Sequence, residues 1–532
     1  MRKGKVLFLA AAAALLFSVL LTGCPGRDAG PENAVRIVVF DRGTDGGRTN
    51  PADNQWTRWI QERVREELDL EVIFVPVSRW DEPSVQVTMM AGGSPPDLMM
   101  TWNFNNVVAW GEQGGLFDLA PHVDTYLRDV RAFLGPDQAL PGREFVFRNQ
   151  NQRTGQLFSV PMMRANNARI NVFMRQDWLD ALGLPVPTTH EEFFDALVAF
   201  RDAPSLPGIA PGTRVIPWSM SADVRWQAGR IIESFIDPTI SIEDRWVYIA
   251  ADRHLLIPGY KEGVRFVNRM YNAGLIDPDF FIYPDDSDVN RLIASGVVGA
   301  FGHNWDQVFR AAEGLTTNLQ QIVPGAQWVA VDAFPSPVDG VTHKISYDSA
   351  GLSIFIPRAA RNPVGAMRYL NWLARFENFN FLQVGPEGTV HEMVDGLPRI
   401  NPTAGGGWIQ NSPWNIDLTP LQNGIFLRDP AETVRMIALG YSPHPEGLVM
   451  AAHTAAMVNA RPDPVIITEQ PLVAAGPLGP ALQSHVERIL INAVRAAPGN
   501  FDGVWNTEIG EFLNAGARAI IEERRANFVS PY

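Results

Sequence analysis

From residue 36 to residue 100 the chain alternates short apolar runs with amphipathic stretches, and this alternation limits its fold more than any other feature. Residues 36–40 (RIVVF) read as a buried strand. Trp56, Trp59, Ile60, Val64 and Leu68 follow at spacings of three and four, the stripe of a helix that buries one face. Residues 72–77 (VIFVPV) read as a second strand, residues 84–90 as a helix and residues 96–100 as a third strand. Gly92 and Gly93 end that helix, and Pro95 and Pro96 block its continuation. Strand, helix, strand with short links is a βαβ unit, which predicts a parallel sheet.

A second block of the same kind begins near residue 156. Residues 156–160 and 170–174 read as strands, and a short helix over 176–182 stops at Gly183. Thr189 and Glu192 have the spacing of a capping box for the next helix, which carries Phe193, Phe194, Leu197 and Val198. Further on, residues 261–273 read as a helix and residues 297–301, 328–331 and 351–356 as strands. Pro363 opens a helix expected to run through Phe376. Two amphipathic helices, over 482–494 and 509–521, close the chain.

The chain has 532 residues, 46% of them hydrophobic, enough for two or more packed lobes. Its single cysteine, Cys24, rules out an intrachain disulfide, so these cores must hold the fold alone. Cys24 also ends the run Leu21-Thr22-Gly23, after Arg2, Lys3, Lys5 and an apolar stretch over 6–21. A basic start, an apolar core and small residues before a cut site describe a secretion signal. With Cys immediately after Leu-Thr-Gly, the pattern is similar to a bacterial lipobox. Cleavage after Gly23 would leave Cys24 as a lipidated first residue. The stretch is shorter than the ~20 residues that span a bilayer comfortably. Residues 1–23 are therefore expected to be a signal peptide. Residues 24–35, rich in Pro, Gly and charge, are expected to tether the fold to the extracytoplasmic face of a membrane. A net charge of −14 argues against nucleic acid or anionic lipid as a partner, without forbidding a local basic pocket.

Several segments together resemble family 1 of the extracellular solute-binding proteins, the lipoprotein receptors of ABC importers, and in particular its large oligosaccharide-type members. One is Ala91-Gly-Gly-Ser-Pro-Pro-Asp97, followed by an apolar strand and Trp102. Another is Gly114-Gly-Leu-Phe-Asp-Leu-Ala-Pro121. The most specific is Arg175-Gln-Asp-Trp-Leu-Asp-Ala-Leu-Gly-Leu-Pro-Val-Pro-Thr-Thr189, and Gly385-Pro-Glu-Gly388 and Val394-Asp-Gly-Leu-Pro398 add to it. The resemblance implies an α/β, two-lobed periplasmic-binding-protein-like fold of type II with a ligand cleft between the lobes. Residues 36–160 plus 336–400 would form the N-terminal lobe, and residues 161–335 plus 401–532 the other. It further implies capture of a carbohydrate or other small polar solute by lobe closure, delivery to the transmembrane subunits of an ABC permease, and action as a monomer. Large members often carry a calcium loop where this chain has residues 201–212 (RDAPSLPGIAPG). A single carboxylate there predicts no calcium site, and no other cofactor is implied.

No catalytic constellation stands out. His190-Glu191 and His391-Glu392 lack the second histidine of zinc-protease spacing, and there is no nucleophile elbow or phosphate-binding lysine loop. Binding sugar without chemistry requires rings for its apolar C–H faces and Asp, Asn, Glu or Arg for its hydroxyls. Trp beside such residues recurs here, among 15 Trp in all. Trp102 and Asn103 follow the third strand, where ligands of open α/β sheets sit. Asn304 and Trp305 follow the strand through Phe301. Trp218, Asp223 and Trp226 lie in a stretch without strong period, Tyr347 precedes the strand at Gly351, and Trp408 follows a glycine triplet. Core packing is the alternative for each ring. Trp56, Trp59, Trp178 and Trp372 sit on apolar helix stripes and belong to the core. Arg164 and Asn166 stand where the chain should first cross between lobes, so Arg164 either meets ligand or forms a hinge salt bridge. Three other classes of protein or ligand stay open on these residues. They are a sensory lipoprotein paired with a histidine kinase, a surface glycoside hydrolase built on a carboxylate pair such as Asp285 and Asp286, and a binder of peptide instead of sugar.

Overall fold

The computed structural model describes residues 33–41, 50–79, 81–137, 142–164, 166–249, 254–311, 313–401, 418–423, 429–466, 468 and 472–530. They form two α/β lobes. In the first, β1 (Ala34–Asp41) and β2 (Glu71–Ser78) pair in parallel along their whole length. The helix Gln55–Leu68 joins them. Asn54 and Thr57 form a reciprocal capping box at its start, and Asp69 ends it in the left-handed region at φ 52°. Trp56, Ile60 and Val64 are buried on its inner face, and Trp59 stacks on Phe381 at 4.3 Å.

The later strands, in chain order, are β3 (Met99–Thr101), β4 (Val160–Arg164), β5 (Ile170–Arg175), β6 (Ile216–Ser219), β7 (Val298–Asn304), β8 (Trp328–Val331), β9 (Lys344–Ile345), β10 (Ala350–Phe355), β11 (His391–Val394), β12 (Leu397–Ile400) and β13 (Gln422–Asn423). Leu98 bridges Ile37 in parallel and so joins the β1–β2 pair to the four-stranded order β3–β10–β4–β13. The parallel sheet expected from the βαβ pattern therefore holds only at its edges, β1–β2 and β13–β4, because β10 runs antiparallel to both β3 and β4. β10 returns from the other lobe and is not fed by a local crossover helix, so nothing forces it into the parallel sense. The second lobe has the order β6–β7–β5–β8, with β6 and β7 parallel and β5 antiparallel to both its neighbours. Along β5, Val172 and Met174 enter one core and Phe173 the core on the opposite face, as the period of two requires.

Three segments run side by side where the lobes meet. The Arg164 N–H donates to the Ser349 carbonyl at 2.8 Å, and the Met163 N–H to the Leu421 carbonyl at 2.9 Å. Phe334 and Ile345 pack in the second lobe and Leu352 in the first, so the chain returns between 345 and 350 instead of at 336. The hairpin of β11 and β12, expected with the first lobe, buries Leu397 and Ile400 in a core of the second, whereas Leu418 and Leu421 pack in the first. A hairpin of two four-residue strands has no core of its own and goes with whichever lobe covers its apolar face.

Helix ends differ from expectation in two places. The helix Pro363–Leu373 stops before Phe376, and a new one covers Phe376–Val384. The last expected helix is divided by a wide turn over Leu513–Ala517, where Gly516 sits at φ 131° and a Cβ would meet Leu478 Cδ2 at 2.9 Å. No helix among the described residues is long and apolar enough to cross a membrane.

Candidate ligand cleft

A ladder of rings and guanidiniums connects the two lobes. Trp102, just past β3, is the first-lobe end. Arg164, the last residue of β4, places its guanidinium carbon 5.6 Å from the Trp102 ring and 4.1 Å from the Tyr347 ring. Tyr347 lies 6.4 Å from Trp226, the second-lobe end, with the two rings inclined by 31°. Trp226 has Arg169 over it at 5.3 Å and His303 edge-on at 6.5 Å, and Arg79 covers Trp102 at 5.0 Å. Contacts of this kind contribute about 0.5–2 kcal/mol each.

Polar candidates shape the same place through local turns. Asn103 caps the helix Phe104–Glu112 by accepting the Asn105 N–H, and Asp223 caps the turn that carries Trp226. Asn166 accepts the Ala168 N–H at 3.0 Å, which fixes the first crossing. The Tyr347 N–H donates to the Asn167 carbonyl at 2.9 Å and holds the second crossing against it. These are the bonds that short Asx side chains make with backbone two residues on. Asn304 ends β7, partly buried opposite Ile170.

A cavity of about 400 Å³ opens beside the ladder. Its walls come from both lobes: the helix Phe104–Glu112, residues 148–152 and residues 350–353 of the first, and Trp246, Ile249 and Pro464–Ile466 of the second. Asp348 and Gly351 on the second crossing connect it to the ladder. A Cβ at Gly351 would sit 3.5 Å from both Arg164 Nη2 and Trp102 Cζ3. That Cβ would overlap Met162 Cε, so the missing side chain makes room for this methionine. A larger hollow of about 660 Å³, lined by His190, Phe266, Arg269 and Pro335, belongs to the second lobe alone.

Most charges here are matched. Arg148 donates to Asp348 at 2.5 Å and to Asp137 at 3.4 Å. Arg169 pairs with Glu233, and Arg310 with Asp306 at 2.8 Å. Arg79 acts on Glu82, whose carboxyl burial pushes up. Among the described residues Arg164 has no hydrogen-bonded carboxylate. Burial pulls its pKa down against the weaker pull of Tyr347 and Asp348, and its Nε is enclosed without an acceptor. The Trp102 Nε1 and Asn167 Oδ1 atoms are likewise enclosed and unpartnered. The hinge salt bridge open to Arg164 from sequence is thus not the arrangement found.

Two of the expected cleft rings are core residues instead. Trp218, fully buried, belongs to β6, a strand read as loop because Pro217 and four residues leave no period to see. It packs edge-on to Phe193 at 5.7 Å. Trp305, 4% exposed, stands edge-on to Tyr441 at 5.8 Å and to His453 at 5.1 Å. Both partners lie over a hundred residues onward, where no local pattern announces them. Trp408 and Cys24 lie outside the described residues.

Sequence reasoning missed Arg79, Arg148 and Arg169. Arg169 was within reach, since it closes the crossing that begins at Arg164. The possible catalytic pair is otherwise employed: Asp285 caps a helix through the Ser287 N–H. Asp286 accepts from His303 at 2.8 Å and from Gln227 at 2.6 Å. Burial alone would raise the Asp286 pKa, but these bonds hold it below the usual carboxylate range.

Comparison with known proteins agrees with this geometry. Lipoprotein LipO of Bacillus subtilis is 20% identical over 360 residues, 62% of either chain. The fructooligosaccharide ABC transporter substrate-binding protein FusA of Streptococcus pneumoniae is 24% identical over 243 residues, 41% of either chain. This chain thus spans less than two thirds of these curated relatives. Among solved structures, the alginate-binding protein AlgQ2 without calcium superposes with a TM-score of 0.66 at 15% identity, covering 93% of this chain and 97% of that one. An extracellular solute-binding protein of Bifidobacterium longum subsp. infantis gives 0.61 at 16% identity, covering 94% and 98%. Residues 53–377, well over half of the sequence, match the model of the bacterial extracellular solute-binding proteins, and the chain belongs to that family.

Proposed function

We propose that this chain is the substrate-binding component of an ABC importer, held to the outer face of a membrane by lipid on Cys24, and that it captures an oligosaccharide between its lobes. One observation carries the reading: a ladder of three aromatic rings and two guanidiniums joins the lobes at the wall of a cavity lined from both sides. Rings accept the C–H faces of a sugar, and Asn, Gln, Asp and Arg side chains such as those of Asn149, Gln150 and Arg148 on the cavity wall serve its hydroxyls. The relative FusA carries a fructooligosaccharide name and is solved with kestose, which supports the same ligand class here. Ligand that touches both lobes favours the closed state, and the closed state docks on the permease. No covalent step is needed, and the monomer suffices.

The test is a thermal-shift screen of the soluble chain from residue 25 against oligosaccharides and peptides. Ligand at 100 times its Kd adds about 2.7 kcal/mol to the native state. A shift with one glycan class, and that glycan recovered intact, supports capture. Cleavage of the glycan would establish a hydrolase, and a shift with peptides alone would replace the carbohydrate reading.

A further inference from the structure

We infer that the glycan this cleft takes is acidic, with a carboxylate or sulfate group seated against Arg164; the inference rests on the carbohydrate reading above. Three other guanidiniums near the ladder each face an opposing charge: Asp348 and Asp137 for Arg148, Glu233 for Arg169, Glu82 for Arg79. Arg164 alone of these four, partly buried and with its Nε enclosed, has no opposing carboxylate of its own among the described residues. Asp348 is near enough to act on it, but its carboxylate is taken by Arg148 and the Ala350 N–H.

Burying a charge without a partner is expensive, and cation–π contacts with Tyr347 and Trp102 return only part of the cost. The group that completes the balance is then external, and the planar guanidinium fork suits a carboxylate or sulfate ester. Three polar atoms near the junction, Arg164 Nε, Trp102 Nε1 and Asn167 Oδ1, are enclosed without a partner among the described residues. Arg164 Nη2 lies beside Gly351, which lines the cavity. The acidity of the chain as a whole does not oppose this, since the excess positive charge is local.

The test is calorimetric titration of the soluble chain with paired neutral and acidic glycans. The pairs are xylo-oligosaccharides with and without glucuronate branches, oligogalacturonides with and without methyl esterification, and lactose with and without sulfate. The uronate and sulfate arms separate the two sources of charge. The tightest ligand should be acidic and should weaken as salt rises. Arg164→Gln should reduce its affinity about 10- to 100-fold, a larger loss than for the neutral partner, and Arg164→Lys should restore part of the loss. Circular dichroism checks that both variants fold, and the wild-type pairs decide the matter if either does not. Neutral glycans binding as tightly as acidic ones would overturn the inference and leave carbohydrate capture standing. No binding by any glycan would overturn both.

Discussion

Asp97 accepts the backbone N–H of Arg361 at 2.7 Å, a bond that spans 264 residues of sequence. The same buried carboxylate accepts the Asn362 N–H at 2.9 Å and, through its other oxygen, the Arg36 N–H at 2.8 Å. One side chain thus joins the first strand, the approach to the third and the start of the helix Pro363–Leu373. Asp97→Ala orphans three donors and should cost about 3 kcal/mol. A melting point lower by roughly 6–12 °C, with Asp97→Asn in between, is the expected result by scanning calorimetry.

Trp226 and Trp305 should separate binding from stability. Trp226→Ala removes a rung of the ladder, and ligand affinity should fall about tenfold with a smaller loss of stability than at Trp305. Trp305→Ala empties space between Tyr441 and His453 and should cost about 3–5 kcal/mol of stability while affinity holds. Calorimetric titration and chemical denaturation of both variants check the contrast.

What could be read beforehand followed the range of the interaction. The capping box at Thr189 and Glu192 and the stripe through Trp56, Ile60 and Val64 formed as expected, because each is a contact within one helix. Arg164 could be named as a candidate because chain order predicts the first crossing, and Tyr347 because it precedes a strand. Their contact could not, since it depends on how two crossings 180 residues apart align. Trp305 was misread for the same reason in reverse: its strand-end position suggested a cleft, and distant Tyr441 covers it.

Acid should weaken the fold through histidine. Burial holds His453 down at about 4, against about 6.5 in an unfolded chain. The folded protein keeps it neutral, so below pH 6.5 the unfolded chain binds more protons. The stability this neutrality contributes is present above 6.5 and is lost as pH falls towards 4. His453→Phe should flatten the stability curve over that window when urea midpoints are compared from pH 7.5 to 4.5. Carboxylates titrate alike in both proteins, so the difference reports His453.

Calcium should leave this chain unmoved. Asp202, the one carboxylate in the loop, already holds Arg201 through two bonds of 2.7 Å. Melting points in calcium and in EDTA should agree within a degree.

Replacing Cys24 by Ser should release the protein from the membrane. Incorporation of labelled palmitate and retention in the membrane fraction should both disappear, with glycan affinity of the released protein unchanged. Membrane retention of the Cys24→Ser chain would show a different anchor.

The strands at the junction of the lobes are also the floor of the cleft, and this gives the molecule the mechanics of a lever. A rotation about Arg164 and Ser349 displaces each atom in proportion to its distance from them. A single sugar on the floor sits beside the pivot and is gripped almost equally whether the jaws are apart or together. It therefore contributes little to shutting them. A longer glycan, reaching to where the helix Phe104–Glu112 and residues 464–466 form the far walls, is gripped at full strength in one state only. The number of sugar units, more than the identity of the first, would set how far the jaws travel and how long they stay shut.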